Sequence, residues 1–499
     1  MPFIYISLNR KFVANIVLLV GLNLLIKPFW FFGIEVTVQN RLGNAAYGMY
    51  ASLLSFAILF NFLLDFGITN FNNREIARNQ VMFEKYFSHI LGIKILFGLL
   101  YALTCLMAGM SVGFKGSAIL FLLLLMVNQF FSSMILYLRS NINAMLMFVT
   151  DSILSVLDKF LMIVLLSIIL WSPLLPIPLS IETFILAQTA ALSITALVAG
   201  WIVRTNCRYF RPAIDIRHIV VIIRKSLPFT LLVFLMGMYN RLEPIFLERL
   251  LPNGNVQAGL YAQGFRIFEV LSNFALLFSA LLLPLFAKML KTRDDIVPLL
   301  RTASSMLLIP ALALTVHIFA FRNQWVQLLY HNPASGNVFG TIILGFPGIC
   351  LTYIFGTLLT ANGNFRQLNL MALLMVLLNV SLNLLFIPRW QAQGSAYASF
   401  ITQTLAGIIQ LVLAVKLLHL SFFSFRKVLI LLLWFISSMV IIYFSQQLFG
   451  EWYYAFSISL LFSLILTGVF KLVPVRDWVE LVMVSLRNRV NKNEEVAKI

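Results

Sequence analysis

Two stretches of the chain, Glu35-Val-Thr-Val-Gln-Asn-Arg41-Leu42 with Gly48-Met-Tyr50-Ala51, and Glu243-Pro-Ile-Phe-Leu-Glu-Arg249-Leu250 with Gly259-Leu-Tyr261-Ala262, repeat one another about 210 residues apart. The Glu-to-Arg spacing is six in both, and the second copy carries three extra residues before its glycine. Each copy sits between the end of one long apolar run and the start of the next. A repeat placed this way predicts two similar halves, provided the rest of the chain shows the same pattern.

The composition places those halves in a bilayer. Of 499 residues, 61% are hydrophobic and only 11% charged, and mean hydropathy is +0.94. A soluble chain of this size needs far more polar surface to cover its core. Fourteen apolar spans are legible, at about 12–32, 46–70, 86–110, 117–138, 150–171, 181–203, 226–248, 257–287, 299–320, 338–360, 367–388, 394–417, 425–447 and 453–473. Each has the ~20 residues that cross ~30 Å of hydrocarbon as a helix. The predicted fold class is therefore an all-α polytopic membrane protein.

The charges fit that count. With the N-terminus inside, 26 of the 36 Lys and Arg fall on the inner side, 5 on the outer side and 5 within spans. This is the positive-inside bias, and a missed or invented span would scramble it. Both termini are then cytoplasmic. The net charge of +18 is topogenic and lies near anionic headgroups, so no nucleic-acid partner is implied. No small-residue cleavage site follows the first apolar run, which Lys27 interrupts, so a retained first span is expected. Cys105, Cys207 and Cys350 are scattered, and His89, His218, His317, His331 and His419 are dispersed. No metal site, cofactor or catalytic motif is expected from them.

Six spans separate the repeated stretches. An even number keeps the copies in one orientation, which predicts parallel halves related by an axis along the membrane normal. The expected organisation is a first lobe at 1–205, a basic cytoplasmic linker at 206–225, a second lobe at 226–419 and two further helices at 420–473. An amphipathic cytoplasmic tail at 474–499 follows, with apolar residues at helical spacing between Arg476, Arg487 and Arg489.

Three stretches resemble the polysaccharide-type lipid-linked oligosaccharide flippases, the O-antigen transporters of bacteria. These share a superfamily with MATE-type multidrug exporters and lipid II flippases. The first stretch is Arg41-Leu-Gly-Asn-Ala-Ala-Tyr-Gly48 with Leu64-Asp65-Phe-Gly67 and Arg74-Glu75-Ile-Ala77. The second is Gly259-Leu-Tyr261-Ala-Gln-Gly-Phe-Arg266-Ile-Phe-Glu269, ending near Leu283-Pro284. The third is Asn379-Val-Ser-Leu-Asn383-Leu-Leu-Phe-Ile387-Pro388 with Gly394-Ser-Ala-Tyr-Ala398. The resemblance implies two six-helix lobes around a central cavity, alternating access, and a polyprenyl-pyrophosphate-linked glycan as cargo. The setting it implies is the bacterial inner membrane and surface polysaccharide synthesis, such as that of O-antigen lipopolysaccharide. Expected partners are the lipid-linked substrate, membrane lipids, and a polymerase and glycosyltransferases of the same pathway; a monomer is expected.

Charges inside a span cost ~2.5–3.5 kcal/mol or more, so they face a cavity or a partner. The cations are Lys27, Lys94, Lys159, Arg241 and Arg266, and the anions are Asp65, Asp158, Glu243 and Glu269. Lys94 and Asp158 both lie about eight residues, or ~12 Å, from the inner side, and are predicted to form an internal ion pair. Asp158 and Lys159 are adjacent and should point apart. Arg266 and Glu269 share a helix face, whereas Arg241 and Glu243, two apart, do not. Lys27 has no acid within a turn and either snorkels outward or faces a ligand.

Related flippases place basic residues on the early helices of each lobe, which singles out Lys27, Arg241 and Arg266 as substrate-binding cations. A pyrophosphate offers acceptor oxygens and about two negative charges, which Arg grips bidentately and Lys neutralises. Glu243, Glu269 and Asp65 are candidate cavity or coupling carboxylates. Asp65, at a helix end, also suits a structural role with Arg74 or Arg78. Asn61, Asn128, Gln129 and Asn240 suit sugar hydroxyls or helix-helix packing equally. A cation-coupled multidrug exporter is the main alternative. A membrane glycan polymerase or glycosyltransferase fits less well, because the outer loops are short, and a scaffold gives the repeat no use.

Overall fold

The computed structural model describes residues 21–66, 83–145, 147–172, 178–206, 216–420 and 425–472. The predicted tail helix at 474–499, most of the basic linker, and Arg74 and Arg78 lie outside the described residues. The elements are α-helices in order: α1 Gly21–Leu59, α2 Phe83–Val112, α3 Ser117–Ala144, α4 Phe148–Trp171, α5 Ile181–Thr205, α6 Ile216–Arg241, α7 Glu243–Leu250 and α8 Gly254–Thr292. They continue with α9 Val297–Ala320, α10 Arg322–Tyr330, α11 Pro333–Ala361, α12 Phe365–Leu417, α13 Phe425–Leu448 and α14 Trp452–Val469.

Eleven of the described helices are long and apolar enough to cross a membrane. A twelfth span arises if α6 and α7, bent by 47° at Leu242, count as one. Two of the eleven contain the boundaries that the sequence places between separate spans. Helix α1 breaks at Gly43, whose φ of 76° and ψ of 168° suit glycine and strain other residues. Helix α12, 53 residues long, breaks at Gln391 (φ 52°, ψ −130°), three residues after Pro388 removes a backbone donor. The structure thus has eleven or twelve candidate spans among the described residues where the sequence predicts fourteen, and α1 and α12 are each one broken helix where two spans are expected. The protein is thus an all-helical, multi-pass membrane protein.

The described residues pack as two compact units. One holds residues up to 263 with 328–332 and 372–395, and the other holds 264–327, 333–371 and 396 onward.

Within the first unit, the two copies of the repeat pack directly on each other. A Cβ on Gly48 would lie 1.8 Å from the Asn255 carbonyl oxygen and 2.5 Å from the Gly259 nitrogen. A Cβ on Gly259 would lie 2.1 Å from the Asn44 carbonyl oxygen. The contact is self-complementary, because each glycine meets the asparagine four residues before the other. That asparagine is a further shared position. Gln263 Nε2 donates to Asn44 Oδ1 at 2.9 Å beside it. Small residues let helix backbones approach this closely in lipid, where packing and polar contacts replace the hydrophobic effect.

The rest of each motif is structural. Glu35 is buried and accepts from Tyr47 Oη at 2.8 Å. Tyr50 exchanges contacts with Gln188 and packs edge-on to Phe184 on α5, with ring centroids 5.1 Å apart. Arg41 donates to the Leu170 carbonyl at 2.7 Å, satisfying an end carbonyl of α4. Arg249, its counterpart, lies 4.1 Å from the ring centroid of Phe114 and reaches the Gly113 carbonyl.

In the second unit, α13 and α14 pack on α9. Trp434 Nε1 donates to the Ser463 carbonyl at 2.9 Å, and the ring of buried His317 lies 3.3 Å from Ser463 Oγ. The two helices outside the repeat are therefore fastened by polar contacts as well as by their apolar faces.

Gly48→Ala is expected to lower stability by about 2–3 kcal/mol through overpacking at the crossing. Gly237→Ala, where nothing lies within 4 Å of the added Cβ, should be neutral or mildly stabilising. Thermal unfolding of the two purified variants in one detergent checks the pair, and equal melting temperatures would refute the crossing.

Candidate functional site

The charged residues singled out in the spans fall into separate clusters. Lys94 is 2% exposed and makes three contacts, to Asp65 at 2.5 Å, Ser133 Oγ at 3.0 Å and the Leu64 carbonyl at 3.1 Å. All three ammonium donors are thereby used. The predicted partner, Asp158, is not among them. Equal depth in the bilayer gives two groups the same height but not the same azimuth, and Lys94 on α2 faces the end of α1. The Asp65 carboxylate arrives there because a short 3-10 turn, Asn61–Leu64, extends the C-terminal end of α1.

Asp158 lies elsewhere, with Lys159 and Lys27. Its carboxylate is 3.4 Å from Lys159 Nζ. Adjacent helical residues were expected to point apart, but the four-carbon lysine stem swings the ammonium back to its neighbour. Helices α1 and α4 run alongside each other here. Asn23 Nδ2 donates to Ser155 Oγ at 3.0 Å, and one turn further along both helices lie Lys27 and Lys159. Lys159 Nζ sits 5.3 Å from the Trp30 ring centroid and 3.8 Å from the Met162 sulfur. Lys27 is exposed and within electrostatic reach of Asp158, Lys159 and Arg139. Arg139 itself is committed to Asp151, with Nε 2.8 Å from Oδ1.

Glu243 is fully buried. One carboxylate oxygen accepts from Asn379 Nδ2 at 3.0 Å, and the other has no hydrogen-bond partner among the described residues. Asn383 donates to Asn379, and Ser395 Oγ donates to Asn383 Oδ1 at 2.8 Å, extending a polar chain from α7 into α12. Asn379 and Asn383 were legible only as part of a motif, and the link to Glu243 needs the fold. Arg241 is not isolated from Glu243, because the bend at Leu242 brings it within electrostatic reach. In the second unit, Arg266 Nη1 and Glu269 Oε2 form the expected pair at 2.8 Å. Asn61 Nδ2 donates to Gln129 Oε1 at 2.8 Å, and Asn240 Nδ2 donates to the Met236 carbonyl in its own helix. Among the described residues, no group of three or more His, Cys, Asp or Glu forms a metal site.

Comparison with solved structures shows which known folds this arrangement of broken helices shares. The lipid II flippase MurJ in an inward closed conformation superposes with a TM-score of 0.67 at 14% identity, over 95% of this chain and all of that one. A multidrug resistance MATE family transporter of the MOP superfamily, inward-facing, gives 0.61 at 13% identity, over 80% of this chain and 97% of that one. The Vibrio cholerae MATE transporter VcmN gives 0.55 at 15% identity, over 82% and 98%. No curated protein sequence matches the chain. Residues 12–290, more than half of the chain, match the family model described as "Polysaccharide biosynthesis protein". The chain belongs to that family.

Asp65→Asn should strand Lys94 at a site with no other acid within hydrogen-bonding distance among the described residues. The expected loss is about 2–4 kcal/mol, reduced from the value for a fully buried pair because Asp65 is one-third exposed. The double variant Asp65→Asn/Lys94→Met should recover most of it. A double variant as unstable as the single one would contradict the pairing.

Proposed function

We propose that the protein is a flippase of the bacterial inner membrane. It moves a polyprenyl-pyrophosphate-linked oligosaccharide repeat unit from the cytoplasmic to the periplasmic leaflet for surface polysaccharide synthesis. The observation that carries this reading is membership of the polysaccharide biosynthesis family over 12–290, the segment that holds Lys27, Arg241 and Arg266. These three cations are the proposed contacts for the pyrophosphate. A pyrophosphate is an acceptor that guanidinium and ammonium groups bind strongly. The glycan head travels through the protein while the polyprenyl tail stays in lipid. Access alternates as the repeated halves, 1–205 and 226–419, rearrange. Both termini lie in the cytoplasm, where the basic inner loops meet anionic headgroups. The pathway's polymerase and glycosyltransferases are the natural neighbours.

For coupling we single out Glu243. Asp65 is engaged by Lys94 and Glu269 by Arg266, whereas Glu243 has no cation at hydrogen-bond distance among the described residues. Its unpartnered oxygen leaves room for a proton or a small cation.

Replacing Lys27, Arg241 and Arg266 together with Gln should cut the appearance of lipid-linked glycan at the periplasmic face by about tenfold or more. Glycosidase- or lectin-accessible glycan in inverted and right-side-out vesicles measures this, and unimpaired exposure with all three replaced rules out the site. Glu243→Gln should slow transport while leaving equilibrium binding of the lipid-linked substrate intact. Loss of binding in step with transport would remove it as the coupling group. Broad resistance to cationic drugs without glycan export would favour a multidrug exporter.

A further inference from the structure

Lys159 is a poorly satisfied cation. Its helix, α4, starts at Phe148, which puts it ~16 Å along a span of ~30 Å, near the middle of the bilayer. Among the described residues its ammonium has a 3.4 Å ion pair to its own neighbour Asp158, a thioether at 3.8 Å and an aromatic face at 5.3 Å. None is a hydrogen bond to oxygen. Lys94, in the same unit, has three contacts to oxygens at 2.5–3.1 Å. The contrast separates a lysine built into the structure from one held ready for something else.

The charge balance points the same way. Arg139 and Asp151 neutralise each other at 2.8 Å. Among the described residues that leaves Lys27 and Lys159 with a single acid, Asp158, and one surplus positive charge. The Asn23–Ser155 hydrogen bond fixes the register that brings the two lysines to the same turn. Weak first contacts and a surplus of charge are what a site for a displaceable anion requires. A carboxylate that already occupies part of it must give way when a stronger acceptor enters.

We propose that Asp158 is an internal counter-ion, and that it yields Lys27 and Lys159 to a phosphate oxyanion of the substrate. This adds Lys159 as a binding residue and Asp158 as one that sets affinity, and it rests on the pyrophosphate-linked cargo proposed above. Asp158 keeps the empty carrier from holding two bare ammonium groups in lipid. It also lowers affinity enough for the anion to leave, because every phosphate contact competes with the carboxylate. A carrier must release what it binds, and a built-in competitor does this without a second ligand.

The test uses the purified full-length protein in detergent at low ionic strength, with inorganic pyrophosphate as the probe and calorimetry as the readout. Asp158→Asn should bind pyrophosphate about tenfold more tightly, and Lys159→Met about tenfold more weakly. The double variant should bind more weakly than Asp158→Asn, since one of the two ammonium groups is gone, and more tightly than Lys159→Met, since Asp158 no longer competes for Lys27. An Asp158→Asn variant that melts like the wild type and binds equally or more weakly overturns the proposal. If that variant does not fold, Lys159→Met decides, and wild-type affinity there overturns it. A wild-type protein that binds no pyrophosphate overturns instead the anionic cargo of the proposed function, and this inference with it.

Discussion

The backbones of α1 and α8 approach so closely at Gly48 and Gly259 that no side chain fits at either position. That contact ties the start of the first repeat to the start of the second, and the other repeated residues are arranged around it. Tyr50 carries the contact outward to α5, Arg41 ends α4, and Arg249 closes on the loop after α2. In lipid there is no hydrophobic gain from bringing helices together, so close packing and hydrogen bonds must hold such a crossing. Glycine contributes the first, and Asn44 with Gln263 contributes the second.

Much of this was legible in the sequence because a bilayer imposes strong rules. Length and hydropathy mark the spans, and the side on which Lys and Arg fall checks their number. The two breaks, at Gly43 and Gln391, coincide with polar gaps between apolar runs. The repeat was visible as Glu-x5-Arg-Leu and Gly-x-Tyr-Ala. The asparagine four residues ahead of each glycine, Asn44 and Asn255, lies one helical turn away and belongs to the same repeat. That the two motifs touch is a fact of three dimensions that no periodicity contains.

The ionic sites were legible as a set but not as pairs. Residue counting gives the depth of a charge, and both Asp65 and Asp158 lie at depths Lys94 can reach. The choice between them depends on which helix faces which, and the fold decides for Asp65. Likewise the rule that neighbours on a helix point apart holds for short side chains and fails for Lys159, whose stem is long enough to fold back. The i,i+3 pair of Arg266 and Glu269 formed as expected because both partners lie on one rigid element. Local pairs are predictable from spacing alone, and long-range pairs are not.

The Lys94–Asp65 pair also bears on how the chain enters the membrane. The two residues are 29 positions apart and lie on consecutive spans. The acid leaves the ribosome before the lysine, so both belong to one helical hairpin during synthesis. Such a hairpin can partition into lipid with its charges already neutralised, whereas α2 alone would have to carry a bare ammonium across.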